Sequence, residues 1–127
     1  MTVGEVAPVV RSLSQAMVDR YADASGDHNP IHVDHDFASS SPMGWTIAHG
    51  MLVLSFLSEM MTAAFGVSWL ATGVLDVRFR LPARPTDTIT ARARPAESPA
   101  AGRLRYAVEC LNQAADVLIS GTAEVTP

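Results

Sequence analysis

The second half of the chain alternates between apolar and polar residues with a period of two. The alternation runs through residues 76–81, 88–94, 103–111 and 117–125. Because successive side chains of a β-strand point to opposite faces, the pattern predicts four strands, each apolar on one face. Short segments that contain Gly, Pro, Asn or Asp separate these stretches, as turns between neighbouring strands do. We therefore expect a meander of antiparallel strands.

Residues 48–65 form a long segment that is apolar around most of the circumference of a helix. A helix of this kind must be surrounded by protein on nearly all sides, and Gly66 follows it as a helix-ending residue. Strands that are apolar on one face need a cover for that face, and this helix is the only predicted element large enough. The sequence thus predicts an α+β fold in which a curved antiparallel sheet wraps around a long central helix, the hot-dog arrangement.

The same segment approaches the length of a membrane-spanning helix. However, His49, Ser55, Ser58 and Glu59 interrupt its apolar run, and charged groups at mid-membrane are costly. A buried helix in a protein without membrane contact explains the segment better.

The first part of the chain is less regular. Residues 8–13 are compatible with an edge strand, Ser14 has the character of an N-cap, and residues 15–24 carry apolar positions at helical spacing. Residues 25–45 then form a long, mostly irregular excursion, with a helical turn expected near 34–38. Long structured loops inside a compact domain more often carry function than not.

Composition narrows the class of protein. A chain of 127 residues fits one domain, residues 1–127, and its 48% apolar and 17% charged residues favour a filled core over disorder. The formal net charge is −4 and all nine basic residues are Arg without a basic run, so we expect no nucleic-acid binding. The single cysteine, Cys110, has no internal disulfide partner, which favours a reducing, cytoplasmic location.

Asp27 and His32 are the first candidates for chemistry. They lie five residues apart across a turn that Pro30 stiffens. A bend there brings a carboxylate and an imidazole to one small volume, where they can hold a water molecule between them. Such a pair can move a proton to and from the water, which is general acid–base catalysis.

His49 and Gly50 open the long central helix. The first backbone N–H groups of a helix have no intrahelical partner and carry the positive end of the helix dipole. That end suits an oxygen that becomes negative during a reaction, such as the enolate oxygen of a thioester. Glycine at this position lets a ligand approach the backbone closely.

Two segments now point to a family. The sequence SGDHNPIH at residues 25–32 and the sequence IAHGML at residues 47–52 resemble the hydratase motif of MaoC-like proteins and R-specific enoyl-CoA hydratases. The order of helix, motif loop, central helix and sheet agrees with that resemblance over nearly the whole chain. It implies the interconversion of a 2-enoyl thioester and its 3-hydroxyacyl thioester, without a cofactor.

The resemblance also implies roles for individual residues. Asp27 and His32 are the catalytic pair that grips the water. The Gly50 amide binds the thioester carbonyl, Ser58 helps to orient the site through a hydrogen bond, and Asn29 shapes the turn. The division of proton transfer between Asp27 and His32 stays open.

The substrate and partners follow from the same resemblance. We expect a thioester carried by coenzyme A or by an acyl-carrier protein. An open sheet leaves an edge that a partner usually covers, so a homodimer is expected, with a heterodimer containing a second hot-dog subunit as the alternative. Arg78, Arg80, Arg92 and Arg94 are expected on outward strand faces, either simply solvated or as a landing site for the carrier's phosphates or acidic surface.

Two further residues near the motifs have open roles. Trp45 precedes the central helix, where it can wall off an acyl pocket, and His49 either packs under the loop or contacts substrate. The four histidines, with Asp34 and Asp36, could instead hold a metal ion. No spacing among them matches a zinc pattern, so we expect no metal.

Two other functions remain as alternatives. A hot-dog acyl thioesterase would use the same thioester but release free thiol. A non-catalytic acyl-thioester-binding subunit would bind the ligand without turnover. The chain contains no Gly-x-Ser-x-Gly, Gly-x-Gly-x-x-Gly or P-loop motif, so the sequence offers no argument for a serine hydrolase or for nucleotide binding.

Overall fold

A computed structural model describes residues 4–127, which form ten helices and strands around one apolar core. The elements, in chain order, are β1 (Val9–Ser12), α1 (Gln15–Ser25), α2 (Pro30–Val33), α3 (His35–Ser39), α4 (Gly50–Phe65), α5 (Val67–Thr72), β2 (Val74–Phe79), β3 (Thr88–Ala100), β4 (Arg103–Leu111) and β5 (Val117–Val125).

The strands form a single antiparallel sheet in the order β1-β3-β4-β5-β2. Strands β3, β4 and β5 are neighbours in both chain and space, as the meander predicts. The first strand of the predicted meander, β2, does not lie beside β3; it pairs with β5 instead, because β1 occupies the free side of β3. Cys110 of β4 lies opposite Ala91 of β3 on one side and Ile119 of β5 on the other. The two strands that flank the helical region, β1 and β2, occupy opposite edges of the sheet.

Helix α4 packs on the inner face of the sheet and supplies the centre of the core. Leu57, Met60 and Met61 are fully buried there. From the sheet, Tyr106 and Ile119 are almost completely buried in the same cluster. The expected α+β arrangement, a sheet around a long central helix, is confirmed. No helix in the described part of the chain combines the length and apolar character needed to cross a membrane.

The short helices begin where polar side chains cap them. Ser14 accepts a hydrogen bond from the Met17 amide and starts α1, as expected. Asn29 caps α2, whose first residue is Pro30, and the Asp34 carboxylate caps α3. The excursion after α1 is therefore more helical than the sequence suggested, because proline is well suited to the first position of a helix.

Several boundaries differ from the predicted ones. Helix α4 begins at Gly50 rather than at residue 48, because the backbone of His49 is not helical, with ψ of 134°. The preceding Ile47 and Ala48 amides donate to the Ile31 and Ala83 carbonyls. Strand β2 ends at Phe79, and β3 continues to Ala100 across an irregularity in its pairing with β4. Helix α5 was not predicted from the sequence.

Candidate active site

The turn after α1 fixes Asp27. Gly26 ends α1 in the left-handed conformation, with φ of 79°. The Asp27 amide then donates to Ser25 Oγ at 3.1 Å, and Asp27 Oδ1 accepts from the Asn29 amide at 3.2 Å. The carboxylate is thus held by its own turn, although 54% of the side chain is exposed.

Asn29 turns the chain into the helix that carries His32. Its Oδ1 accepts from the Ile31 amide at 3.1 Å, and its carbonyl accepts from the His32 amide at 2.9 Å. With Pro30 at the first helical position, α2 is short and firmly defined. This single turn brings the His32 ring back toward Asp27, as the sequence predicts for a bend at this point.

The imidazole of His32 has a defined orientation. Its Nδ1 lies 2.8 Å from the Ile47 carbonyl, which can only accept, so Nδ1 carries the hydrogen. In the neutral ring, Nε2 is then the nitrogen with a free lone pair, and it lies 3.8 Å from Asp27 Oδ2. That distance is too long for a direct hydrogen bond, and it leaves both atoms able to contact one water molecule.

Gln15 connects the first helix to this site, a role that no motif in the sequence indicates. Its Nε2 donates to the His32 carbonyl at 2.8 Å, and its Oε1 accepts from the hydroxyl of the buried Thr46 at 2.8 Å. Gln15 therefore hydrogen-bonds both to the helix that carries His32 and to the segment just before Ile47.

Gly50 is the first residue of α4 and lies beside an apolar cleft of about 310 Å³. His32 and Gly50 both line this cleft, so the imidazole and the amino end of the helix face the same space. A Cβ on residue 50 would lie 2.9 Å from a ring carbon of Phe79. The cleft is otherwise mostly apolar; its lining also includes Ile47, Ala48, Val53, Phe79, Arg80, Leu81, Pro82, Ala83, Leu118 and Ile119.

His49 lies against the pair and is 3% exposed. Its Nε2 is 2.9 Å from the Asp27 carbonyl oxygen, and its ring stacks on His32 with centroids 3.8 Å apart. Tyr21 contacts the same ring at 4.8 Å. The packing beneath the loop that the sequence allowed for His49 is present, and His49 is not one of the residues that line the cleft.

Trp45 and Ser58 are not among the residues that line the cleft. Trp45 is 52% exposed, and the Arg84 guanidinium lies 4.4 Å from its ring centre. Ser58 Oγ accepts a hydrogen bond from Trp69 Nε1 at 3.4 Å, which links α4 to α5. The structure therefore gives each residue a neighbour that the sequence did not predict.

Asp27, His32 and His49 offer donor atoms that all lie within 4.8 Å of one another, a spacing open to a metal ion. However, the planes of the two rings are only 25° apart, so their in-plane lone pairs run side by side. Ligands of a tetrahedral site converge on one point instead. The other two histidines are outside this group, His28 paired with Asp23 and His35 exposed.

Comparison with known proteins identifies the family of this chain. Residues 4–110 match the family model described as MaoC like domain. A 3-hydroxyacyl-thioester dehydratase Z of Mycobacterium tuberculosis is 37% identical over 75 residues, which are 56% of this chain and 50% of that protein. The chain thus spans about half the length of that relative.

Two further proteins are similar over nearly the whole chain. A 3-hydroxybutyryl-CoA dehydratase of Methylorubrum extorquens is 29% identical over 130 residues, covering 98% of this chain and 80% of that protein. The unliganded R-hydratase of Pseudomonas aeruginosa superposes with a TM-score of 0.84 at 27% identity, covering 99% of this chain and 81% of that chain. This chain has the hot-dog fold and belongs to the MaoC-like domain family.

Proposed function

We propose that this protein is a hydro-lyase that interconverts a 2-enoyl thioester and the corresponding (R)-3-hydroxyacyl thioester. The observation that carries the proposal is the pairing of His32 Nε2, with its free lone pair, and the Asp27 carboxylate 3.8 Å away. The names of the two similar dehydratases and of the R-hydratase support the reaction type.

In the hydration direction, a water molecule sits between Asp27 and His32. The pair removes one proton from the water as its oxygen bonds to C3, and the other proton remains in the new hydroxyl group. The electron pair of the double bond moves onto the thioester carbonyl as an enolate, and a proton from the pair then reaches C2. No net proton is gained or lost, and dehydration follows the same steps in reverse.

The enolate oxygen needs a hydrogen-bond donor at the moment it becomes negative. The backbone N–H of Gly50, at the positive end of α4, supplies that donor in this proposal. Glycine leaves the backbone accessible because no Cβ stands between the amide and the cleft. The mostly apolar lining of the cleft suits the acyl thioester portion of the substrate.

The carrier is coenzyme A or an acyl-carrier protein, and the natural assembly is a homodimer. Strand β2 pairs with β5 and forms an edge of the sheet. Val74 and Phe79 of β2 and the following Leu81 are each more than half exposed. An apolar strand edge of this kind is usually covered by a partner, with a second hot-dog subunit as the alternative to a second copy. We also propose that residues 1–127 act as one domain in the cytoplasm.

The experiment is to mix the purified protein with a short 2-enoyl-CoA and follow the loss of the conjugated absorbance while assaying free thiol. We expect absorbance to fall without thiol release. Asp27→Asn and His32→Ala should each reduce kcat by about 100- to 10,000-fold, the range typical of general acid–base groups. His35→Gln, on an exposed histidine outside the site, should keep the wild-type rate.

Two outcomes would replace the proposal. Thiol release at the rate of substrate loss indicates a thioesterase. Binding of the thioester without turnover, unaffected by Asp27→Asn, indicates a non-catalytic binding subunit.

A further inference from the structure

His49 carries a buried nitrogen without a partner. Its Nε2 must donate the hydrogen in the 2.9 Å contact with the Asp27 carbonyl, because a carbonyl oxygen only accepts. In the neutral ring, Nδ1 is then a bare acceptor. Among the buried side-chain nitrogen and oxygen atoms of residues 4–127, this Nδ1 is the one without a hydrogen-bond partner. An unpaired buried acceptor destabilises a fold, so its presence calls for an explanation.

The contacts of His49 converge on the proposed reaction site. One ring nitrogen holds the main chain of Asp27, and one ring face lies on His32 at 3.8 Å. The next residue along the chain is Gly50, whose amide is the proposed donor to the thioester. His49 therefore contacts both Asp27 and His32 and directly precedes Gly50 in the chain.

Direct contact with substrate does not account for these features. His49 is 3% exposed and does not line the cleft. Its Nε2 is occupied by the Asp27 carbonyl, and its Nδ1 is buried. What the ring can do from this position is set the places of the groups around it.

We propose that His49 is a positioning residue for the hydration reaction, which fixes Asp27 through a main-chain hydrogen bond and supports the His32 ring by stacking. The inference rests on the proposed hydro-lyase function. The reason for a histidine is that it is the smallest side chain that combines an aromatic face with an N–H donor; tryptophan has both but adds a fused benzene ring. Phenylalanine has the face alone, and glutamine has the donor alone.

The size of the effect follows from the sensitivity of proton transfer to geometry. His32 Nε2 and Asp27 Oδ2 are 3.8 Å apart, and in the proposed reaction a water molecule binds between them. The Asp27 side chain is about half exposed, so its position depends on the few contacts that hold it. A displacement of about 1 Å in such an arrangement can cost about 100-fold in rate. Binding of the thioester depends on other groups, so KM should change much less than kcat.

Two substitutions separate the two contacts. His49→Phe keeps a ring for stacking and removes the donor, and it also removes the unpaired nitrogen. His49→Gln keeps a donor to the Asp27 carbonyl and removes the stack. We expect each variant to lose about 10- to 100-fold in kcat, with KM within about twofold of the wild type. His35→Gln is the matched control and should change neither.

A second measurement reports on His32 without turnover. In protein labelled with ¹⁵N at histidine, the ring signals of His32 should shift or broaden in both His49 variants and stay in place in His35→Gln. Melting temperatures taken in parallel identify any loss of folding. We expect His49→Phe to melt close to the wild type, because the variant loses one hydrogen bond but also removes the unpaired buried nitrogen.

The outcomes are separable from a failure of the hydro-lyase proposal. If the wild type hydrates substrate but both His49 variants keep its kcat, the positioning role is wrong. If the wild type hydrates no enoyl thioester, the hydro-lyase proposal has failed. The His32 ring signals then remain as the test of whether His49 positions His32. Unchanged His32 signals in both variants then overturn the inference, and shifted signals uphold the coupling of the two rings.

Discussion

The His32 ring and the Ile47 carbonyl are joined by a 2.8 Å hydrogen bond that selects the tautomer of the imidazole. The residues come from different motif segments, one from the turn after α1 and the other from the extended segment before α4. Because the carbonyl takes the Nδ1 hydrogen, the lone pair of the neutral ring is on Nε2, the nitrogen that faces Asp27. The backbone of one motif therefore sets the chemistry of the other.

The first prediction concerns that tautomer. In ¹⁵N-histidine NMR spectra recorded at about pH 8, where an ordinary histidine is neutral, His32 should have its hydrogen on Nδ1. The signals are assigned by their loss in His32→Ala. A hydrogen on Nε2 would contradict the orientation described here and would leave the ring unable to accept a proton from water on the side of Asp27.

The second prediction concerns Gly50. A Cβ in Gly50→Ala would lie 2.9 Å from a ring carbon of Phe79, and a small rotation of that side chain relieves the contact. We therefore expect the melting temperature to change little. Because a methyl group would stand beside the proposed donor to the thioester, kcat/KM should fall by about 10-fold or more.

A double variant tests whether the contact with Phe79 alone is responsible. Gly50→Ala combined with Phe79→Leu relieves that contact but keeps the methyl group next to the amide. Activity that stays low in the double variant supports close approach of the substrate to the backbone. Full recovery would assign the loss to the displaced phenylalanine instead.

The third prediction concerns pH and the His28–Asp23 pair on the surface. The hydrogen bond that His28 Nε2 donates to the Asp23 carboxylate, at 2.9 Å, holds the pKa of His28 above its ordinary value of 6.5. A raised pKa in the folded state means that the protonated form stabilises the fold. That contribution is fully present at pH values below 6.5 and is lost as pH rises through the higher folded-state pKa.

Urea unfolding of the wild type and of His28→Gln measures this directly. The free energy of unfolding of the variant should be lower at about pH 5.5 and equal to that of the wild type at about pH 9. The difference should be small because both groups are exposed. Asp23→Asn should give the same dependence of unfolding free energy on pH. A loss of stability in either variant that increased with pH would contradict the prediction.

The fourth prediction concerns Cys110. Burial in the core raises the pKa of its thiol to about 12, so the reactive thiolate is scarce at neutral pH. A thiol reagent at about pH 8 should therefore leave the folded protein unlabelled and should label it in denaturant. Rapid labelling of the folded protein would show that the core opens around β4.

The fifth prediction concerns the assembly. Val74, more than half exposed on the edge strand β2, should be covered in the proposed dimer. Val74→Lys should shift the protein from dimer to monomer in light scattering, because it places a charge in an apolar interface. Val67→Lys, at an exposed position of helix α5, is the matched control and should remain dimeric. A wild-type protein that is monomeric in light scattering would contradict the proposed dimer.

Much of the fold could be predicted from the sequence because its signals are local. Strands β4 and β5 and the core of α4 follow from periods of two and of 3.6 residues, and the caps at Ser14 and Gly26 act on neighbouring residues. The turn that brings Asp27 and His32 together is equally local, since Asn29 and Pro30 build it within a few residues. The catalytic roles of that pair stay predictions until the variants are measured.

Only the tertiary structure decided what depends on segments distant in the chain. The Ile47 and Ala48 amides, just before α4, find carbonyl partners at Ile31 and Ala83, and no periodicity within residues 47–50 records those partners. The stacking of His49 on His32 is of the same kind. Local patterning fixes which face of an element is apolar, whereas the partner of each amide and each ring is chosen only when the distant elements pack together.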